Sequence, residues 1–153
     1  NFATGVPCGA QKEIIHNIMK DPYILHIPAT RESESIGIAA GAYLAGRKPL
    51  IYMQNSGLLN SINDITSLLM CYKIPVFLSV TWRGCEGETT PQHILNGEIT
   101  PSFLNSLGIP YQILAKEKIE ERLQTLFGEM EAKRLPAILL IKKGWYHEQK
   151  RCS

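Results

Sequence analysis

The segment IPVFLSV, residues 74–80, is a short, almost entirely apolar run that stands just before a polar, glycine-rich stretch. The segment PAILLIK, residues 136–142, has a similar form. Strands of a parallel sheet are covered by helices on both faces, so consecutive positions are apolar and the polar alternation of half-exposed strands is missing. The two segments therefore predict buried strands of a parallel sheet.

Outward from these two strands, short apolar runs alternate with longer segments of helical period. This alternation is typical of βαβ units, and it predicts an α/β fold with a doubly wound, mainly parallel six-stranded sheet and helices on both faces. The other predicted strands are NFAT (1–4), YILHIPA (23–29), PLIYMQN (49–55) and PYQIL (110–114). The predicted helices cover residues 10–20, 33–45, 58–71, 102–107 and 118–133.

The length and the charge of the chain limit what it can be. With 153 residues, 44% of them hydrophobic, it is long enough for one domain, which we place at 1–153. The opening NFATGVP has no initiator Met, which leaves room for an N-terminal helix missing from this sequence. The net charge of +2 is scattered, so no basic patch predicts binding to nucleic acid or to a membrane surface. No apolar stretch approaches the roughly 20 residues that a membrane span requires.

The four cysteines lie far apart in the sequence, at Cys8, Cys71, Cys85 and Cys152. None belongs to a Cys-x-x-Cys pair, and none stands at metal-ligand spacing from a histidine. This pattern predicts reduced thiols, a cytoplasmic location and no metal site built by this chain.

Polar side chains with chemical potential follow the predicted strands at their carboxyl ends, where open parallel sheets bind ligands. The segments are ATRESES (29–35), QNSGLLNS (54–61) and TWRGCEGETTPQH (81–93). The last belongs to a long polar loop predicted at 81–101, with Gly84 and Gly87 as candidate hinges. If this loop folds back over the strand ends, Arg83 and His93 approach the same cavity as Glu32, which could then bind a substrate with two acidic groups.

Two interpretations of Glu32 remain open from the residues alone. A carboxylate at a strand-to-helix turn can cap the helix by accepting backbone N–H bonds, or it can do chemistry. The helix that follows is rich in alanine and glycine, which predicts close approach by another backbone or a flat ligand, as at a subunit interface. QNSG lacks the lysine of a phosphate-binding loop, so its amides are better suited to a heterocycle or a small substrate.

In this order and at these separations, the three segments resemble the pyrimidine-binding domain of thiamine-diphosphate-dependent 2-oxoacid decarboxylases. The resemblance is greatest to the enzymes of sulfopyruvate and phosphonopyruvate, and it runs from FATGVPCG to PAILLIK. The family has a glutamate followed nine positions later by glycine. Glu32 and Gly41 reproduce this spacing, whereas Glu34 does not. Leu59 departs from the family, where many relatives have glycine.

The resemblance implies that Glu32 hydrogen-bonds N1′ of the aminopyrimidine of thiamine diphosphate and shares a proton with it. The matching blocks are MQNSG (53–57) and PQH (91–93). The implied catalytic residues are Glu32 and His93. The implied cofactor-binding residues are Glu32, Gln54, Asn55, Ser56 and Gly57. The implied substrate-binding residues are Arg31, Arg83 and Gln92.

The sequence contains no Gly-Asp-Gly, the family motif that binds the diphosphate and its Mg²⁺. The resemblance therefore implies a separate diphosphate-binding β subunit that carries this motif and most of the Mg²⁺ ligands, with self-association of this chain as well. A separate β subunit favours the assignment of this chain to the enzyme that decarboxylates sulfopyruvate to sulfoacetaldehyde and CO2, as in coenzyme M synthesis. The alternatives are a split decarboxylase of phosphonopyruvate or another acidic 2-oxoacid, and a non-catalytic α/β partner whose Glu32 only caps a helix.

Overall fold

The computed structural model describes residues 1–85, 87–143 and 145. Its six strands form one sheet in the order β2-β1-β3-β4-β6-β5, and every neighbouring pair is parallel. The strands are β1 (Phe2–Gly5), β2 (Leu25–Pro28), β3 (Pro49–Gln54), β4 (Phe77–Trp82), β5 (Tyr111–Ile113) and β6 (Ala137–Lys142). The predicted α/β fold and its six strands are confirmed.

Helices cover both faces of the sheet because both faces are apolar. Ile51 of β3, Leu78 of β4 and Ile138 of β6 stand in one register row, and they pack in the same core as α2 (Glu32–Leu44) and α3 (Asn55–Asn60). The residues one step along these strands face the other side, against α1 (Lys12–Lys20) and α6 (Ile119–Lys133). Burial of each large aliphatic side chain stabilises the fold by about 1.5–3 kcal/mol.

Two predicted segments are wrong in their details. The single helix predicted at 58–71 is three pieces, namely α3, the short α4 (Ile62–Asp64) and a π-helix at Ile65–Met70. The loop predicted at 81–101 ends early, because α5 (Pro91–Ser106) already begins at Pro91. Gly97 and Pro101 lie inside α5, where burial of Thr100 and Leu104 holds the helix together.

The strand order reverses between β1 and β3, which is the point where open α/β sheets bind ligands beyond the carboxyl ends of their strands. At the end of β1 the backbone of Gly5 lies against β3 so closely that an added Cβ would overlap the Tyr52 carbonyl. Helix α2 packs across both β1 and β3. Its first turn therefore opens at the same edge of the sheet, beside the start of α3.

Three observations concern the described part of the chain only. Cys8, Cys71 and Cys85 are free thiols there, whereas Cys152 lies outside it. None of its helices is long and apolar enough to cross a membrane. No group of three or more histidine, cysteine, aspartate or glutamate side chains in it is placed to hold a metal ion.

Candidate functional site

Glu32 is the first residue of α2 and lies against the backbone of α3. The preceding Arg31 is extended, with φ −136° and ψ 149°, so the helix begins abruptly at the edge of the sheet. The Glu32 side chain occupies the space above Gly57, where an added Cβ would overlap its Cγ, Cδ and Oε1 atoms. Only glycine at position 57 leaves room for the carboxylate in this position.

The glutamate bonded to the turn before α2 is Glu34. Its Oε2 accepts hydrogen bonds from the backbone N–H and the hydroxyl of Thr30, both at 2.9 Å. The bond from the Thr30 N–H, followed by the hydroxyl bond, lowers the pKa of Glu34. The Glu32 carboxylate, in contrast, has no hydrogen-bond or ion-pair partner among the described residues. The cap interpretation of Glu32 therefore has no support in the geometry.

The start of α3 brings a second set of polar side chains to the same edge. Gln54 Nε2 donates to Ser56 Oγ at 2.8 Å, and the Cys8 thiol, which follows β1, lies 3.8 Å from Gln54 Oε1. The same surface therefore carries Glu32 and three residues predicted to bind the cofactor, namely Gln54, Ser56 and Gly57.

Asn55 lies among these residues but its amide is used inside the protein. It is fully buried, and its Oδ1 accepts the backbone N–H of Arg83 at 3.1 Å. Its Nδ2 donates to the Arg83 carbonyl at 2.9 Å and to Thr100 Oγ1 at 3.1 Å. Asn55 therefore fixes the end of β4 and the middle of α5 to the start of α3, a role that sequence reasoning missed.

Arg83 is ion-paired, which sequence reasoning did not anticipate. Its Nε donates to Glu88 Oε2 at 2.6 Å, and Lys143 Nζ donates to Glu88 Oε1 at 3.2 Å. The backbone N–H of Thr90 also donates to Glu88 Oε1, at 3.2 Å. The Glu88 side chain is only 2% exposed. The bond from Arg83 holds the pKa of Glu88 well below its ordinary range, and Glu88 raises the pKa of Arg83.

His93 and Gln92 lie in the first turn of α5, and not in the loop where they were expected. Gly84 is no free hinge, because an added Cβ would overlap the His93 carbonyl, and its φ of +80° suits glycine alone. His93 Nδ1 is buried without a hydrogen-bond partner in the described structure. Gln92 and Arg31 are exposed. In the described structure, neither forms a hydrogen bond or ion pair with Glu32 or Arg83.

A hollow of about 640 Å³ lies at the opposite edge of the sheet, at the amino ends of the strands. Its lining is mainly apolar and includes Phe2, Leu50, Phe77 and Phe127. The carboxylate, amide and guanidinium groups described above lie at the other edge. We therefore place the candidate site at the carboxyl ends of the strands, on an open surface and not in this hollow.

Two solved structures have a similar fold. A 2-oxoglutarate:ferredoxin oxidoreductase from Magnetococcus marinus matches 95% of this chain and 26% of its own, with a TM-score of 0.65 and 16% identity. A protein from Mycobacterium smegmatis described as a thiamin diphosphate-dependent enzyme matches 92% of this chain and 27% of its own, with a TM-score of 0.67 and 12% identity. At these identities the likeness establishes the fold alone.

Sequence relatives are closer. The chain is 46% identical over 111 residues to sulfopyruvate decarboxylase subunit alpha of Methanococcus maripaludis, covering 72% of this chain and 66% of that protein. It is 43% identical to the same subunit of Methanothermobacter thermautotrophicus, covering 73% and 68%. Phosphonopyruvate decarboxylase of Streptomyces viridochromogenes is 36% identical over 92% of this chain and 36% of its own length.

No protein-family model matches the sequence. The chain spans about two thirds of the length of the subunit-alpha relatives. At 43–46% identity over that length, it belongs to the family of sulfopyruvate decarboxylase alpha subunits.

Proposed function

We propose that this chain is the pyrimidine-binding subunit of a cytoplasmic, thiamine-diphosphate-dependent decarboxylase. The reaction converts sulfopyruvate and one proton into sulfoacetaldehyde and CO2, a step of coenzyme M synthesis. The observation that carries the proposal is the Glu32 carboxylate, which lies over Gly57 with no partner among the described residues. An unpartnered carboxylate at the switch point of the sheet is available to a ligand.

The surroundings of Glu32 fit the aminopyrimidine of the cofactor. A carboxyl group that shares a proton with a ring nitrogen must not be neutralised by a nearby cation or by backbone N–H groups. In the turn before α2, the hydrogen bonds from Thr30 go to Glu34 and not to Glu32. Gly57 leaves space for the carboxylate. In this proposal Glu32 hydrogen-bonds N1′, and the polar edge formed by Gln54 and Ser56 flanks the ring.

The cofactor, when bound, supplies the electron sink that makes loss of CO2 possible. The chain's own residues orient it and control protons. Glu32 holds the proton shared with N1′. His93, with an unpartnered buried Nδ1, is proposed as a second proton-handling group. Arg83 is proposed to bind the distal acid group of the substrate, with Arg31 and Gln92 as further candidates that would have to approach on binding.

In this proposal the diphosphate and Mg²⁺ bind to a β subunit that carries Gly-Asp-Gly. The relatives' designation as subunit alpha supports a partner. Gly37 and Gly41 on α2 are exposed, and an added Cβ at either would meet nothing within 4 Å. This open, side-chain-free surface supports cover by a second subunit, either the β subunit or another copy of this chain.

The test is Glu32→Gln in the full protein assembled with its diphosphate-binding subunit. Glutamine keeps the size of the side chain but cannot share a proton with N1′, so we expect kcat for sulfopyruvate to fall about a hundredfold or more. Glu34→Gln, two residues away, is the matched control and should stay within about threefold of the unchanged enzyme. Near-normal turnover by the Glu32 variant would refute the assignment. Equal losses in both variants would show that the turn requires negative charge in general and not the Glu32 carboxyl in particular.

A second candidate is the decarboxylation of phosphonopyruvate. Its support is the match to phosphonopyruvate decarboxylase over 92% of this chain, although at 36% identity. The two substrates differ in the distal acid group, so kcat/KM for sulfopyruvate and phosphonopyruvate, measured side by side on the assembled enzyme, decides between them. A higher value for phosphonopyruvate would reverse the proposed substrate.

A further inference from the structure

Glu88 is a nearly inaccessible carboxylate that joins two cations from different strands. Arg83 follows β4 and Lys143 follows β6, and both donate to it, as does the backbone N–H of Thr90. Burying a carboxylate is costly unless charge-assisted hydrogen bonds satisfy it, and here they do. Because two cations share one carboxylate, the group of Arg83, Glu88 and Lys143 keeps a net positive charge. We call these three residues the cation cluster.

The cation cluster is connected to the surface that carries Glu32. Both the N–H and the carbonyl of Arg83 are bonded to the Asn55 amide, and Asn55 is two residues before Gly57, which lies under the Glu32 carboxylate. A short run of α3 thus holds both features. A ligand bound at Glu32 has the cation cluster at the same edge of the sheet.

The contacts of Arg83 leave its binding end available. Glu88 engages Nε, and the two terminal nitrogens have no hydrogen-bond partner among the described residues. The Arg83 side chain is 18% exposed and that of Lys143 is 48% exposed. A guanidinium held at Nε is fixed in orientation, and terminal N–H groups suit the oxygens of a sulfonate, phosphonate or carboxylate.

We propose that Glu88 is a positioning residue that holds Arg83 and Lys143 as a paired cation site for the distal acid group of a dianionic 2-oxoacid. This rests on the proposed function and adds Lys143 and Glu88 to it. Substrate preference follows from it, since a monoanionic 2-oxoacid such as pyruvate has no group to offer to the pair. An ion pair that only stabilises the fold needs one cation for one carboxylate, as in the exposed Lys133–Glu129 pair on α6, at 2.7 Å.

The test uses the enzyme assembled with its partner subunit and the variants Glu88→Gln, Glu88→Asp and Lys143→Gln, with Glu129→Gln as a control outside the site. Each is assayed with sulfopyruvate and with pyruvate. We expect Glu88→Gln and Lys143→Gln to raise KM for sulfopyruvate about tenfold or more, with kcat nearly unchanged and pyruvate kinetics unaffected. Glu88→Asp, which keeps the charge, should recover part of the loss, and Glu129→Gln should change nothing.

Glu88→Gln distinguishes positioning from simple attraction between charges, because the variant leaves the cation cluster more positive. If bulk charge alone attracts the substrate, Glu88→Gln binds sulfopyruvate more tightly, and that result would overturn a positioning role. Equal changes for sulfopyruvate and pyruvate would also overturn it, since they indicate an ion pair that only stabilises the fold. Should Glu88→Gln fail to fold, Lys143→Gln decides, because its half-exposed side chain can be replaced without burying an unpaired charge.

A binding measurement separates this inference from the proposed function. Inhibition by 3-sulfopropanoate, a dianion without the 2-oxo group, is compared with inhibition by propanoate, which lacks the sulfonate. We expect the unchanged enzyme to favour 3-sulfopropanoate and the Lys143 variant to lose that preference. If the unchanged enzyme decarboxylates sulfopyruvate but shows no such preference, the cation cluster is not the site. If it decarboxylates neither sulfopyruvate nor phosphonopyruvate, the proposed function itself fails.

Discussion

Two glutamates at the same edge of the sheet have opposite surroundings. Glu32 lies over a glycine backbone with no partner in the described structure, whereas Glu88 is almost fully buried and accepts hydrogen bonds from two cations and a backbone N–H. A partner that neutralises a carboxylate fixes its position and removes its reactivity. The unpartnered glutamate is therefore the candidate for chemistry, and the partnered one is the candidate for positioning.

After Glu32→Gln itself, the largest expected effect on this contrast comes from Gly57→Ala. A methyl group at position 57 would occupy the space of the Glu32 carboxylate, so either the side chain or the first turn of α3 must move. A displacement of about 1 Å can reduce a rate by about a hundredfold, and we expect kcat of the assembled enzyme to fall by roughly tenfold to a hundredfold. Steady-state kinetics with sulfopyruvate measures it.

Gly128→Ala is the matched control for that variant. Gly128 lies within α6, where an added Cβ meets nothing within 4 Å. Alanine there should leave kcat unchanged and stabilise the helix by up to about 1 kcal/mol. Normal kcat in the Gly57 variant would mean that the position of the Glu32 carboxylate over this backbone has no importance for catalysis.

Features that follow from a local sequence pattern could be predicted, whereas features that depend on tertiary packing could not. The strands were predictable because consecutive apolar residues mark positions buried on both faces, as in β6. The choice of Glu32 over Glu34 came from spacing to Gly41 in the resemblance, and local composition alone left both acids open. The start of α5 was missed because Gly97 and Pro101 disfavour a helix locally, while packing of Leu104 in the core favours it.

The cation cluster could not be predicted at all. Glu88 and Lys143 are 55 positions apart, and Asn55 and Thr100 are 45 apart. No local pattern encodes such pairs, because strand order and register decide which strand ends become neighbours. The sequence marked Arg83 as a free substrate ligand since its partner Glu88 looked like one of several charges in a polar loop.

Asn55→Ala tests whether the two regions depend on each other, and its expected effect is intermediate. The change removes the acceptor of the Arg83 N–H and the donors to the Arg83 carbonyl and Thr100. Leaving such buried groups unpaired costs about 1–3 kcal/mol each, so the free energy of unfolding should fall by at least about 1 kcal/mol. Urea denaturation measures it. Asn60→Ala, at the exposed end of α3, is the control and should stay within about 0.5 kcal/mol.

If Asn55 joins the two regions, its loss should also raise KM for sulfopyruvate, because Arg83 is no longer held beside α3. A less stable enzyme with unchanged KM would mean that the α2 corner, residues 31–34 with Gly57, and the cation cluster act independently.

The smallest effect, Glu34→Gln, refines the contrast between neighbouring carboxylates through pH. The pKa of Glu34 is lower in the folded protein than its ordinary value of 4.5, so its contribution to stability is present above that pH and is lost as the pH falls through the folded value. Glutamine keeps an acceptor for Thr30 but not the charge. We therefore expect a small decrease of Tm at pH 7, less than for Asn55→Ala, and a difference from the unchanged protein that shrinks as the pH falls below 4.5. Calorimetry between pH 3 and 7 measures this difference, with Glu131→Gln on α6 as the control. A difference in Tm that does not change with pH would mean that the stabilisation from the Thr30 hydrogen bonds does not depend on the charge of Glu34.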